Sequence, residues 1–301
     1  MEWRRSTIIT RLLPLCDFPP TGSSVSCAVS GGADSLALLA LACAAELRVT
    51  AIHVDHQLRS GSSEESSLVR SCAKEVGAEF RAVTLHVGAG PNLEARARVA
   101  RYTALPDDVM TGHTADDQAE TMVLNLLRGA GLDGLAAMRS VGGPSGQVRH
   151  PLLALRRRDT EAVCDLLGWQ VFHDPSNTDE SLLRNRIRHR VLPMLEDAAG
   201  RDLVSLLHRQ ASLLGDDADL LDSLAEAIDP TDARAVAAAP LPLARRAIRR
   251  WLTTDHPPDA ATVERVLHVA RGDAVACELP GGGRVSRKNQ RLSRNDPADH
   301  D

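Results

Sequence analysis

Ser30-Gly31-Gly32-Ala33-Asp34-Ser35 stands between the apolar run Val25–Val29 and the helix formers Leu36–Leu41. A buried strand, a glycine turn and a helix start, in that order, make a cradle for phosphate. Gly31 and Gly32 have no Cβ, so an anion can approach the backbone and positive φ is allowed. The first N–H groups of the helix have no partner inside it and point at the anion. Ser30 and Ser35 can add hydroxyl donors. A carboxylate beside phosphate is repelled unless a cation lies between them, which makes Asp34 a candidate Mg²⁺ ligand, directly or through water. The plain alternative is a turn with Asp34 as helix cap. It explains less well why all these residues occur in one register after an apolar strand. The stretch lacks the Gly-Lys-Ser/Thr of one phosphate loop and the G-x-G-x-x-G of another.

Other clusters carry chemistry-bearing side chains. Gly112-His113 leads into Asp116, Asp117 and Glu120, three carboxylates within five residues. Acids favour a helix start, which accounts for one or two of them. Beside bound phosphates such a cluster suggests metal binding or proton handling. His53-Val54-Asp55-His56-Gln57-Leu58-Arg59 is a second polar terminus. Arg184, Arg186, Arg188 and Arg190 put four like charges in seven residues. A solvated face is the ordinary reading, but a phosphate-rich partner, RNA or ATP, would relieve their repulsion. Arg156-Arg157-Arg158 adds to that argument, and Arg245, Arg246, Arg249 and Arg250 form a weaker patch. The Asn92–Tyr102 stretch alone reads as an ordinary amphipathic helix with a Glu94–Arg98 pair.

The elements that must position these residues alternate. Strands are expected at 25–29, 48–54, 79–85, 108–112 and 147–153, with helices at 62–77, 92–102 and 114–128 between them. Crossovers of this length force parallel pairing, so the expectation is an α/β, doubly wound parallel five-stranded sheet. Ligands bind beyond the carboxyl ends of such strands, where three of the polar clusters fall. From Leu155 the pattern turns helical, with a strand-like Trp169–Phe172, a polar loop His173–Asn177 and a basic helix Leu182–Leu195 interrupted at Pro193. A Gly-turn hairpin is expected around Pro280–Gly283. The expected division is 1–198 as the α/β domain that carries the phosphate cradle, 199–290 as a helical domain ending in the hairpin, and 291–301 as a disordered tail.

Net charge is −5 over 301 residues, so a nucleic acid would be held by local patches and not by a global field. Lys74 and Lys288 are the only lysines, against 33 arginines. The six cysteines are scattered, with no C-x-x-C pair and no zinc spacing, as expected of buried thiols in a reducing cytosol. No leader and no membrane span is expected, which points to a cytoplasmic protein without a membrane partner.

SGGADS at 30–35 resembles the signature of the PP-loop ATP pyrophosphatase superfamily, whose members cleave ATP between the α and β phosphates. Further segments resemble one family in it, tRNA(Ile)-lysidine synthetase. These are His53–Arg59, Asn92-Leu93-Glu94-Ala95 with Arg98, Arg101 and Tyr102, Gly112-His113 through Thr121, Leu127–Gly131 and Pro151-Leu152-Leu153. Asp174, Ser176-Asn177, Arg184-Asn185, Arg188 and Pro193 complete the match, in register over about residues 24–195. His150 stands where the family usually has Arg, and the segment after Tyr102 is shorter than usual. The chain ends soon after the hairpin, so a second C-terminal module is not expected.

The resemblance implies that ATP and Mg²⁺ adenylate the wobble cytidine of a CAU-anticodon isoleucine tRNA. Free lysine then displaces AMP, giving lysidine and moving codon reading from AUG to AUA. It implies that Ser30, Gly31, Gly32, Ala33, Asp34 and Ser35 hold the nucleotide, with His53, Asp55, Gly112 and His113 beside it. Asp34 holds the metal, Asp116 and Asp117 assist the chemistry, and Arg184 and Arg188 steady the transferring phosphate. A homodimer is compatible with it. A tRNA thiolase of the same superfamily and a non-catalytic nucleotide-binding module stay open as alternatives.

Overall fold

The computed structural model describes residues 2–55, 62–85, 93–142, 146–172, 178–254 and 257–295. Two compact units divide the chain, Met1–Gly215 and Asp216–Asp301. In the first, β1 (Ser24–Ala28) pairs in parallel with β2 (Arg48–Asp55), and β2 with β3 (Glu79–Thr84). Seven helices of this unit follow in chain order: α1 (Thr7–Leu12), α2 (Ala33–Ala44), α3 (Ser62–Val76), α4 (Leu93–Ala104), α5 (Ala115–Leu127), α6 (Leu132–Leu135) and α7 (Arg157–Leu167).

Strand side chains alternate between two apolar clusters. Val49, Ala51 and Cys27 join Ile9, Leu12, Val69, Val163 and the leucines of α2 on one side. Ile52 and Val54 join Tyr102, Leu105 and Val109 on the other. Residues Ser35–Cys43 of α2 are all buried, as expected of a helix apolar all round. Each fully buried leucine there contributes about 1.5–3 kcal/mol of transfer free energy.

The expected five strands reduce to a three-stranded ladder. The fourth and fifth segments extend it only through the bridges Cys27–Met110 and Met110–Arg149. Asp107-Asp108 forms a turn, so few residues remain before the chain leaves for α5. Beyond Val148–Arg149, Pro151 has no N–H to donate and the chain turns at once. Val148–Arg149 (β5) instead pairs antiparallel with Val141–Gly142 (β4). Trp169–Phe172 is not a strand; Phe172 N–H donates to the Gly31 carbonyl at 3.0 Å.

The basic segment is α8 (Leu183–Arg186), a π turn Ile187–Val191 and α9 (Leu192–Ala199), where Pro193 sits harmlessly in a first turn. Helix α10 (Leu203–Glu226) follows, and the division at 215/216 falls within it.

The second unit holds α11 (Ala233–Ala238), α12 (Leu241–Leu252) and α13 (Ala260–Arg271), then an antiparallel sheet of β6 (Ala276–Glu278), β7 (Arg284–Lys288) and β8 (Arg291–Asn295). Its core gathers Val236, Ile248, Val266, Leu267, Val285 and Leu292. Residues 291–295, expected to begin a disordered tail, are the third strand. Its turn is Asn289-Gln290, both at positive φ, a tight hairpin without the glycine that usually marks one. No described helix is long and apolar enough to cross a membrane.

Candidate active site

From β1 the chain steps to β2 on one side, and later returns to the Met110 segment on the other. That reversal of strand order opens a crevice at the carboxyl end of β1. The Ser30–Ser35 loop fills one lip, with Gly31 at φ +76°. Gly32 caps α2 without a side-chain bond, so the loop leaves the helix start to an outside anion. Ser30 N–H donates to Ser35 Oγ at 3.0 Å, and Ser35 Oγ–H donates to the Gly32 carbonyl at 2.9 Å. The Ser35 hydroxyl therefore braces the loop from within.

Gly112 forms the other lip. A Cβ there would lie 2.5 Å from the Asp34 carbonyl oxygen, so only glycine lets the two lips meet. His53 is buried, and its Nδ1 lies 2.9 Å from the carbonyl of Val29, just before the loop. Asp55 closes β2 and accepts the N–H of Leu85 on its backbone oxygen. His56–Arg59, Asn92 and Asp174–Asn177 lie outside the described residues.

Helix α5 carries the acids to the same crevice. Thr114 caps it, and Asp117 returns the bond by accepting the Thr114 N–H at 2.9 Å, a capping box. Glu120, one turn on, is 1 % exposed. The arginines converge on these two. Arg184 reaches Asp117 at 3.1 Å and Glu120 at 2.8 Å, and Arg188 reaches Glu120 at 2.6 Å. Arg157 touches Asp34, Asp117 and Glu120 at 3.6, 3.5 and 3.4 Å. Thr160 Oγ donates to Asp34.

Asp116 is held by other donors. It accepts Arg156 Nε at 3.1 Å and the Arg157 N–H at 2.8 Å, while Arg156 also holds Asp202. Arg156, read from sequence as part of a phosphate-seeking surface run, thus ties α5 to the start of α7. The arginine run at 184–190 also meets acids from elsewhere in the chain, since Arg190 pairs with Glu180.

Two further groups gather behind Gly112. Thr111 Oγ lies 2.8 Å from His113 Nδ1 and 2.6 Å from His150 Nδ1, and the two rings meet edge to face at 4.8 Å. His150 therefore joins a polar network in a buried position.

The two central carboxyls are driven apart. Burial, then the charge of Asp117, raises Asp34 to about 6 against the hydrogen bond from Thr160 and the charge of Arg157. Burial also pushes Asp117 up, but His113, Arg157, Arg184 and the Thr114 N–H outweigh it and the net shift is down. Carboxyls with opposed shifts in one crevice are a signature of reactive sites.

The sequence puts Glu120 in the acid cluster and Arg157 in a basic triple, but names neither among the expected site residues. Arg157 follows the fifth segment at the same rim of the sheet, but Arg156 and Arg158 share that position, so it does not single out the arginine that turns inward.

Comparison with known proteins supports the same assignment. A family model described as a PP-loop domain matches residues 6–195, and a TilS substrate binding domain matches 232–293. The chain is 37% identical over 297 residues to a tRNA(Ile)-lysidine synthase of Thermobifida fusca, covering 91% of this chain and 90% of that one. It is 42% identical over 277 residues to the enzyme of that name from Mycolicibacterium paratuberculosis, covering 84% of each. Among solved structures, the U34-tRNA thiolase NcsA from Methanococcus maripaludis, with its [4Fe-4S] cluster, aligns at TM-score 0.53 and 19% identity, covering 71% of this chain and 78% of that one. At that identity the likeness is one of fold. A phosphate loop, its opposed acids and the residues matched along nearly the whole chain place the protein in the tRNA(Ile)-lysidine synthase family.

Proposed function

We propose that the protein ligates free lysine to the wobble cytidine of a CAU-anticodon isoleucine tRNA, using ATP and an adenylated cytidine. The observation that carries this is the meeting of Asp34, Asp117 and Glu120 with Arg157, Arg184 and Arg188 at the mouth of the Ser30–Ser35 loop. The loop N–H groups and the α2 start bind the phosphates, with His53, Asp55, Gly112 and His113 framing the nucleotide. Arg184 and Arg188 steady charge on the α-phosphate of the transferring adenylyl group, and Asp117 keeps both in place. Asp116 acts through Arg156 and Arg157, by fixing the start of α7.

Asp34 suits Mg²⁺. Its carboxyl is pushed up by burial and by Asp117, so a cation shared with phosphate oxygens would relieve both. No group of three or more metal-ligating side chains forms among the described residues. That agrees with the habit of Mg²⁺ of taking one or two carboxylates and completing its shell with phosphate and water. When bound, the ion would offset charge on the phosphates. Residues 1–198 supply the chemistry, and 199–290 hold tRNA, in the cytoplasm.

Thiolase chemistry is less well supported. Cys27, Cys43, Cys72 and Cys164 are buried and free, and burial raises all four thiols, Cys164 to about 12. Persulfide chemistry needs exposed thiolates. The test is the mass of the product tRNA. A gain of one lysine less one water at the wobble cytidine, with AMP release requiring both lysine and tRNA, is expected. AMP release without lysine incorporation would overturn the reading.

A further inference from the structure

Arg157 differs from the other two arginines of the crevice in two ways. It is the only cationic side chain paired with Asp34 among the described residues, whereas Arg184 and Arg188 stop at Asp117 and Glu120. Its ion pairs are also looser. Arg157 stands 3.4–3.6 Å from its acids, while Arg184 and Arg188 make hydrogen bonds of 2.6–3.1 Å. At such distances the attraction is chiefly Coulombic and lacks the directional part of a short charged hydrogen bond. If Arg157 withdraws, Glu120 keeps two arginines and Asp117 keeps Arg184. Asp34 alone is left without a cation.

We propose that Arg157 is the built-in counter-cation of the Asp34–Asp117 pair and exchanges its place with the divalent metal. In the nucleotide-free enzyme it lets two nearby carboxylates stay ionised together. A metal arriving with ATP takes over that charge and frees the guanidinium for the phosphates, the ligand its planar fork suits. The backbone supports such an exchange. Arg157 N–H is held by Asp116 at 2.8 Å, and the neighbouring Arg156 N–H by Asp159 at 3.0 Å. The start of α7 therefore stays fixed whichever way the side chain turns. The arrangement also fixes an order: a metal alone must compete with an arginine, and a metal with ATP need not. The proposal rests on the reading of Asp34 as metal ligand, but not on tRNA or lysine.

The test is Mn²⁺ binding to the full-length, nucleotide-free protein, read by electron paramagnetic resonance of the free ion. Arg157→Gln should bind Mn²⁺ about tenfold tighter than wild type, since a competing unit charge has gone. Exposed Arg158→Gln should match wild type. Adding Asp34→Asn to Arg157→Gln should abolish the gain. Unchanged or weaker binding by Arg157→Gln overturns the proposal, and so does a gain that survives Asp34→Asn. Should Arg157→Gln fail to fold by circular dichroism, Arg157→Lys is read the same way. A single ammonium cannot meet three carboxylates at once, so about threefold tighter binding is expected, and no gain overturns. Failure of the lysidine reading would appear in the tRNA product and leave these titrations unmoved.

Discussion

Asp34 lies at a residue-scale conflict between stability and use. Its folded carboxyl titrates near 6 against an ordinary 3.8, so the folded state binds its proton more tightly than the unfolded chain does. The stability it contributes is present below the ordinary value and is lost as pH rises through about 6. At neutral pH the buried, ionised group is a burden of ~1–3 kcal/mol. Asp34→Asn should therefore be more stable than wild type at pH 7, with an advantage that grows from pH 5 to 7 in thermal melts. The same variant should release no pyrophosphate from ATP. A mutant less stable than wild type at pH 7 would contradict the electrostatic account, and one with wild-type pyrophosphate release would contradict the metal role. Asp34 could be picked out from sequence because the neighbours that give it meaning are adjacent in the chain. Arg157 could not: its three acids come from positions 34, 117 and 120, and neither periodicity nor local charge shows which arginine of a triple turns inward.

Elements meet the site through two contacts that local pattern does not reveal. Gly112 leaves Asp34's backbone no room for a Cβ, so Gly112→Ala must push the start of α2 from the Met110 segment. Overpacking of this kind costs about 1–3 kcal/mol. The expected result is a lower melting temperature together with loss of ATP binding in calorimetry; unaltered ATP affinity would show that the lips need not meet. Arg156 ties α5 to α7 through Asp116 and reaches Asp202, with its side chain 16% exposed. Arg156→Ala should cost about 1–3 kcal/mol by leaving a partly buried carboxylate short of donors. It should leave the salt dependence of tRNA binding unchanged, and a shallower slope would return Arg156 to the surface role its sequence suggests. The helices and first three strands were legible because their apolar periods are long. The fourth and fifth strands were not, since a turn at Asp107-Asp108 and the missing N–H of Pro151 cut them to bridges. Strand β8 was hidden because Asn289-Gln290 makes its turn without glycine.

On the scale of the whole chain, apolar burial separates cleanly. The clusters of the first unit use residues up to Leu207, and that of the second begins at Ile228. Residues 1–215 therefore own a complete core, and the loop, acids and arginines of the crevice all lie within it. The second unit contributes basic surface, but much of it is already paired. Arg245 meets Glu264, Arg246 meets Asp222, Arg250 meets Glu226, and Arg291 meets Asp229. The Arg246 side chain is mostly buried, but the other three pairs are exposed, and exposed pairs are worth about 0–1 kcal/mol, so phosphate can displace their acids. Each such exchange still releases one counterion from the RNA. The slope of log affinity against log salt should therefore fall by about one unit for every phosphate that is no longer neutralised. A protein ending at Gly215 should fold, bind ATP with near-native affinity and modify tRNA poorly, with a salt slope shallower by about two units or more than the full chain. Calorimetry with ATP and filter binding of tRNA at several salt concentrations measure both. A folded 1–215 protein with undiminished tRNA affinity and slope would place recognition in the first unit. The paired arginines of the second would then be no more than the solvated face that their acids already satisfy.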